Sequence, residues 1–249
     1  MKKLLSLLFV FLIILSSAHA SQEDYVVKDF EYTGYKLMET AAVSDEFFQD
    51  AVFIGDSLMV SIENRRVLKQ ANFLATIGTS IKSATTSRIF QYKNKKHTLE
   101  EMLTELNPSK IYIMLGSNSL CVIKADEALE DYRALLDKIK ETSPDAVIFL
   151  MSVPLMRDHA FKKYGKVDTM KGRFQLYNKG LKEIALEYNA YYMEISELLV
   201  DGKYDVPVRE YYTGDGIHLS VAGAERVRDY VKTHTYPDLD QKLEDYKND

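Results

Sequence analysis

Cysteine is nearly absent from this 249-residue sequence, in which Cys121 stands alone. A single cysteine excludes an intramolecular disulfide and any zinc or iron–sulfur site built from several thiolates. Glycine and proline are also scarce, with 11 and 5 residues, whereas 46% of the chain is hydrophobic. This composition excludes a collagen-like or disordered chain and indicates a globular protein whose length suits one large domain.

Several common binding motifs are missing from the sequence. It contains no glycine-rich phosphate loop, no dinucleotide fingerprint, no His-Glu-x-x-His motif and no calcium-binding loop. These absences disfavour a kinase, a dehydrogenase and a metalloprotease. The formal net charge is −5, which also disfavours nucleic acid as a partner because a polyanion would be repelled.

Residues 1–20 have the layout of a secretory signal peptide. Lys2 and Lys3 precede an apolar stretch, and Ala18 and Ala20 place small residues at a cleavage site. The stretch is shorter than the roughly 18–20 residues that cross a bilayer core, although an uncleaved anchor is the alternative. No cysteine follows it that could carry a lipid. We therefore expect a secreted, periplasmic or cell-surface protein with no stable membrane insertion after cleavage.

The mature chain is predicted to form a single domain over residues 21–249. Neither an internal repeat nor a low-complexity linker divides it. Its folded core is expected over about 51–234, followed by a charged, solvated tail at 235–249.

Short apolar runs alternate with amphipathic segments along this core. The runs predict strands at 51–54, 72–77, 111–115, 146–153 and 190–195. The segments between them predict helices at 58–70, 98–107, 125–141, 174–188 and 220–234, with a Thr98/Glu101 capping box and Ser220 as an N-cap. Continuous apolar strands separated by helices predict an α/β fold whose parallel sheet is covered on both faces.

Polar motifs follow these strands, where α/β sheets bind their ligands. Ser57 follows the first strand and opens a helix, whose N-terminus stabilises developing negative charge. Serine needs a positioned base to become a nucleophile. Asp215 and His218 are three residues apart, which brings both side chains to one side of a turn. Asp215 would then orient His218, and His218 would take the proton from Ser57.

Hydrogen-bond donors for an oxyanion are also available after the strands. The candidates are the backbone N–H groups of Ser57 and Gly78 and the side-chain amide of Asn118. The rival base is His159, which stands next to Asp158, although the side chains of adjacent residues tend to point apart. Cys121 has no base identified beside it and is interpreted as a partly buried structural residue.

Four sequence blocks together resemble the SGNH, or GDSL, hydrolases. In order they are Gly55-Asp56-Ser57-Leu58, Gly78, Gly116-Ser117-Asn118 and Asp215-Gly216-Ile217-His218. The resemblance covers nearly the whole mature chain. It implies a flavodoxin-like three-layer α/β/α sandwich with a mostly parallel sheet of about five strands.

The resemblance also implies roles for these residues. Ser57 would be the nucleophile, Asp215 and His218 would complete the triad, and Gly78 and Asn118 would complete the oxyanion hole. No metal or organic cofactor is implied. One position departs from the family pattern, since Ser119 follows Asn118 where the family usually has an aspartate. The Ser119 hydroxyl is expected to hydrogen-bond within its loop instead.

The combined motifs predict a secreted serine esterase that acts through an acyl-serine intermediate. Short loops between the motifs favour a small acyl group, such as acetyl, on a small ester or an acylated glycan. A long-chain lipase is one alternative. A second alternative is an acyltransferase that passes the acyl group to a sugar hydroxyl through the same triad. The alternative from another class is a non-catalytic carbohydrate-binding module on the same fold.

Overall fold

The structure is a computed structural model that describes residues 37, 39–203 and 206–235. The predicted signal peptide and nearly all of the predicted tail lie outside the described residues. Two sheets are described, one of five strands and one of two. Their strands, β1 to β7 in chain order, are Ala51–Gly55, Asn72–Ala75, Phe90–Tyr92, Lys95–His97, Lys110–Met114, Val147–Met151 and Tyr191–Met193.

Helices connect most of the strands. In the part of the chain that the structure describes, α1 to α9 are Ser57–Asn64, Ile81–Thr86, Leu99–Leu106, Ser117–Leu120, Ala125–Thr142, Asp158–Phe161, Val167–Glu187, Ile195–Leu198 and Val221–Thr233. Short 3-10 helices cover Asp45–Phe48 and Arg209–Tyr211. Of the helices described, none combines the length and the apolar character needed to span a bilayer.

The larger sheet has the spatial order β2-β1-β5-β6-β7, and all of its neighbouring strands are parallel. This is the flavodoxin-like order, in which the winding direction changes between β1 and β5. Helix α5 packs against α2, α3 and α7, whereas α1 packs on β1 and β2. The prediction of a three-layer α/β/α sandwich around a five-stranded parallel sheet is confirmed.

A row of aromatic rings crosses the sheet, with one ring from each strand. In spatial order the rings are those of Phe73, Phe53, Tyr112, Phe149 and Tyr191, and the strand register places them side by side. Their centroids are 4.2 to 5.4 Å apart and each pair is stacked. Stacked pairs at these distances contribute about 0.5–1.5 kcal/mol each beyond the burial of their area. The row therefore ties the five strands together.

The helix caps predicted from the sequence are confirmed. Thr98 Oγ1 accepts the N–H of Glu101 at 3.3 Å, and Glu101 Oε2 accepts the N–H of Thr98 at 3.1 Å. This capping box satisfies two backbone donors that have no partner within α3. Ser220 caps α9 through the N–H of Gly223 at 3.1 Å.

All five predicted strands are present, but two predicted helices have the wrong limits. The helix expected over 58–70 ends at Asn64, because the chain turns back through Arg66 at a left-handed φ of 52°. The helix expected over 174–188 already begins at Val167. The β3–β4 hairpin and helix α2 were not predicted, since both are short and polar and show no hydrophobic period.

Candidate active site

The first three motif blocks meet at the carboxyl edge of the sheet. Ser57 follows β1, Gly78 follows β2 by a short turn, and Asn118 lies in α4, directly after β5. Strands β1 and β5 are neighbours at the point where the winding direction of the sheet changes. Open α/β sheets bind ligands at this point.

Asp56 connects the first and third blocks. Its side chain is fully buried and its Oδ1 accepts the N–H of Leu58 at 3.0 Å, which caps α1. Its Oδ2 accepts the hydroxyl of Ser117 at 2.6 Å. Burial raises the pKa of Asp56, and both hydrogen bonds oppose that rise. Asp56 had no predicted role, although a short polar residue before a helix is an N-cap signal. This cap holds Ser57 on the first turn of α1, where the residue is 8% exposed.

Asn118 and Ser119 hold the third block against the second. Asn118 Nδ2 donates to the carbonyl of Thr79 at 3.1 Å, and Ser119 Oγ accepts the N–H of Ile81 at 3.0 Å. Ile81 is the first residue of α2, so the Ser119 hydroxyl satisfies a donor that the helix leaves free. The sequence analysis expected Ser119 to hydrogen-bond within its own loop, but its partner is Ile81, 38 residues earlier in the chain. Gly78 lies beside Thr79 in an exposed turn at φ +77°, a conformation that favours glycine.

Tyr177 fixes the end of β5 and is a positioning residue that the sequence analysis missed. Its buried hydroxyl donates to the carbonyl of Leu115 at 2.8 Å. Its ring lies so close to Gly116 that a Cβ there would be 2.8 Å from a ring carbon. Gly116 also has a φ of +139°, so glycine is required on both grounds. Tyr177 comes from α7, and only the packing of that helix reveals the contact.

The Asp215–His218 pair forms in the turn before α9. His218 Nδ1 is 2.6 Å from Asp215 Oδ2. The other carboxylate oxygen of Asp215 accepts the N–H groups of Ile217 and His218 and the hydroxyl of Thr213 at 2.8 to 3.1 Å. Burial acts to raise the pKa of Asp215, but these hydrogen bonds lower it well below its usual range. The carboxylate therefore stays ionised and holds one nitrogen of a partly exposed imidazole.

The Asp215–His218 turn also lies at the carboxyl edge of the sheet. The N–H of Arg157, in the connection that follows β6 at this edge, donates to the carbonyl of Gly216 at 2.9 Å. Ser57 and Asn118 follow the neighbouring strands β1 and β5 at the same edge. A hydrogen bond between Ser57 Oγ and His218 stays a prediction.

The rival pair Asp158–His159 does not form. Asp158 Oδ1 makes an ion pair with Lys171 Nζ at 2.8 Å. The His159 ring instead covers Gly216, where an added Cβ would lie 2.5 Å from its Cε1. Asp158 therefore does not orient His159 as a base.

The described residues contain neither a thiolate at Cys121 nor a cluster of metal ligands. Burial raises the pKa of the Cys121 thiol to about 11, so the thiol is protonated at neutral pH. In residues 39–203 and 206–235, no group of three or more histidine, cysteine, aspartate or glutamate side chains is placed to hold a metal ion.

Comparison with protein families identifies the class of this chain. A sequence model of the GDSL-like Lipase/Acylhydrolase family matches residues 53–226, which is more than half of the chain. The chain belongs to this family, and it is an ester-hydrolysing enzyme. A search of curated proteins found no significant match.

Solved structures share the fold at low sequence identity. A GDSL-like lipase from Bacteroides thetaiotaomicron VPI-5482 is 15% identical with a TM-score of 0.56, over 83% of this chain and 92% of that one. A lipase from a goat rumen metagenome is 15% identical with a TM-score of 0.54, over 75% and 97%. A carbohydrate esterase family 3 protein from Talaromyces cellulolyticus is 12% identical with a TM-score of 0.52, over 78% and 98%. At sequence identities this low, the structural similarity shows a shared fold.

Proposed function

We propose that the protein is a secreted serine esterase that uses Ser57, His218 and Asp215 as its catalytic triad. The observation that carries the proposal is the 2.6 Å contact between Asp215 and His218 Nδ1. It occupies one ring nitrogen of His218, and we propose that the other ring nitrogen takes the proton of Ser57 at the start of α1. Secretion is proposed from the signal-peptide layout of residues 1–20.

The proposed reaction has two half-reactions on one serine. Ser57 Oγ attacks the ester carbonyl carbon while His218 accepts the hydroxyl proton, and Asp215 stabilises the imidazolium that forms. The tetrahedral intermediate collapses, and His218 gives its proton to the leaving alcohol. Water then attacks the acyl-serine with His218 as the base, which releases the acid and restores Ser57.

Three donors are proposed for the oxyanion of each tetrahedral intermediate. They are the backbone N–H groups of Ser57 and Gly78 and the side-chain amide of Asn118. An amide nitrogen carries two hydrogens, and Asn118 uses one of them for the carbonyl of Thr79 at 3.1 Å. The second hydrogen is therefore available to the oxyanion. The hydrogen bond to Thr79 holds the amide in place before substrate binds, which is the condition for strong electrostatic stabilisation.

The proposed acyl group is short, such as an O-acetyl group on a small ester or a glycan. Short connections between the motif-bearing segments support this proposal, because a long acyl chain needs an extended apolar cover. The carbohydrate esterase with the same fold makes acetylated glycans a reasonable set of substrates to assay.

The test uses residues 21–249 with p-nitrophenyl acetate and a serine-directed phosphonate. Ser57→Ala and His218→Ala are each expected to lower kcat by about a thousandfold or more, with little change in Tm. His97→Ala serves as the control, because His97 lies on the β3–β4 hairpin and is expected to leave kcat unchanged. Mass spectrometry is expected to find the phosphonate adduct on Ser57.

Two outcomes would contradict the proposal. Full turnover by Ser57→Ala would show that another group is the nucleophile. The absence of both turnover and a Ser57 adduct in the wild-type protein would favour a binding module. Transfer of acetyl to an added glycan in preference to water would instead identify an acyltransferase that uses the same triad.

A further inference from the structure

Residues 157–173, called the basic segment below, carry a charge opposite to that of the whole chain. The formal net charge of the chain is −5, whereas this segment has six basic residues and two aspartates, a net charge of +4. The basic residues are Arg157, Lys162, Lys163, Lys166, Lys171 and Arg173. The segment comprises helix α6, the turn after it and the start of α7.

One end of the basic segment packs on the turn that carries the proposed base. The N–H of Arg157 donates to the carbonyl of Gly216 at 2.9 Å. The His159 ring covers the same glycine, so closely that no Cβ could be added there without displacing it. Gly216 lies between Asp215 and His218, and its φ of +72° is one that glycine adopts without strain. The segment is therefore a neighbour of the proposed triad.

The other end of the segment contacts the block that carries the proposed oxyanion donor. Arg173 Nη1 donates to the carbonyl of Leu120 at 2.7 Å, and Leu120 closes the short helix that contains Asn118. The basic segment thus extends from the Asp215–His218 turn to the helix that contains Asn118, and it forms one wall of the proposed site.

Most of the positive charge on this wall is free to act on a ligand. Lys162, Lys163 and Lys166 are exposed, and none of them forms an ion pair with another described residue. Lys171 is paired with Asp158 at 2.8 Å. A wall with several unpaired charges of one sign attracts ligands of the opposite sign and raises their rate of association.

We propose that the enzyme selects esters whose alcohol part carries a negative charge, a carboxylate or a phosphate, and that the basic segment binds this charge. The inference rests on the proposed function. His218 must protonate the leaving alcohol, so the alcohol part lies beside the Asp215–His218 turn. The basic segment contacts that turn at Gly216, which places its charge next to the alcohol part of the ester.

The test compares three aryl acetates with the same acyl group. They are p-acetoxybenzoate, p-acetoxyphenyl phosphate and the neutral methyl p-acetoxybenzoate, measured as kcat/KM at low salt and at about 0.5 M NaCl, where screening is nearly complete. Each variant is compared with the wild-type protein on the same ester, so that differences in intrinsic reactivity cancel. The two anionic esters distinguish recognition of a carboxylate from recognition of a phosphate.

The test variant is Lys162→Glu with Lys163→Glu, and the matched control is Arg66→Glu with Lys69→Glu. The control changes the charge by the same amount in the connection from α1 to β2, at the amino ends of the strands and therefore at the edge of the sheet opposite Ser57. At low salt the test variant is expected to lower kcat/KM by about threefold to tenfold on an anionic ester and by less than about twofold on the methyl ester. High salt should remove most of the difference.

Failure of this inference is distinguishable from failure of the proposed function. An equal loss in the test and control variants, or an equal loss on the neutral and anionic esters, would overturn the role of the basic segment. So would efficient hydrolysis of the methyl ester by the wild-type protein together with no salt dependence on either anionic ester. If the wild-type protein hydrolyses none of the three acetates, the proposed esterase function itself is wrong.

Discussion

The substitution Ser119→Ala tests how the structure holds the amide of Asn118. Ser119 is buried and accepts the N–H of Ile81 at 3.0 Å, while Asn118 donates to the carbonyl of Thr79 at 3.1 Å. These two hydrogen bonds connect the residues after β5 to those after β2. Removing the Ser119 hydroxyl breaks one of them and leaves the N–H of Ile81 without its acceptor.

The magnitude follows from the two separate consequences of this loss. A buried backbone donor without a partner costs about 1–3 kcal/mol, so the free energy of unfolding should fall by about 2 kcal/mol. Removing an oxyanion donor outright costs about 3 kcal/mol of barrier. Ser119→Ala only loosens Asn118, so we expect about 1–2 kcal/mol, which corresponds to a decrease in kcat of about 5- to 30-fold.

Ser152→Ala is the matched control for this experiment. Ser152 is also buried after a strand, and its Oγ accepts the backbone N–H of Ser196 at 2.8 Å. The bond is of the same kind, but it joins the residue after β6 to α8, and neither Ser152 nor Ser196 belongs to a motif block. Urea titration should give similar stability losses for both variants, whereas kcat with p-nitrophenyl acetate should fall only for Ser119→Ala.

Two results would contradict a positioning role for the Ser119 hydroxyl. If both variants lose the same stability and both keep the wild-type kcat, the bond to Ile81 does not position Asn118. If Ser152→Ala loses as much activity as Ser119→Ala, the effect on kcat reflects a general loosening of the fold.

Two further predictions concern stability. Tyr112→Phe removes a buried hydroxyl that has no hydrogen-bond partner among the described residues, so the free energy of unfolding should be equal or higher by about 1 kcal/mol. Tyr112→Ala should lower it by about 3–5 kcal/mol through a cavity in the aromatic row, and equal urea midpoints for the two variants would contradict this. Folding lowers the pKa of Asp215, so its ionised form stabilises the fold above about pH 4 and less as the pH falls further. Asp215→Asn should therefore have a lower free energy of unfolding than the wild-type protein at pH 7. In urea titrations this difference should become smaller as the pH falls toward about 2. A difference that does not change with pH would show that ionisation of Asp215 is not its cause.

Patterns local in the sequence predicted the elements of the fold well. Apolar runs identified the five strands of the large sheet, and the Thr98 and Ser220 caps identified two helix starts. Two helix limits without such a signal were wrong, as at Asn64, where a left-handed Arg66 follows the end of a helix in a segment that contains no breaker. The left-handed conformation at Arg66 is uncommon for a non-glycine residue, and no glycine or proline marks it in the sequence.

In the candidate site, too, contacts between residues close in the sequence were predictable and contacts between distant residues were not. The Asp215–His218 contact was predictable because the two residues are three positions apart in one turn. The bond between Asp56 and Ser117 and the bond from Tyr177 to Leu115 join residues about sixty positions apart. No periodicity or spacing points to such pairs, because they depend on how β1, β5 and α7 pack.

The α/β class, the order of the motif blocks and the chemistry open to serine, histidine and aspartate could all be predicted from the sequence. These properties follow from side-chain type and from contacts within a few residues. Three other arrangements became visible only in three dimensions. Asp158 pairs with Lys171, His159 covers Gly216, and a positively charged segment borders the candidate site of a negatively charged chain. Those arrangements depend on strand order and helix packing. Both are set by the burial of apolar side chains from all parts of the chain in one core, which brings distant residues together.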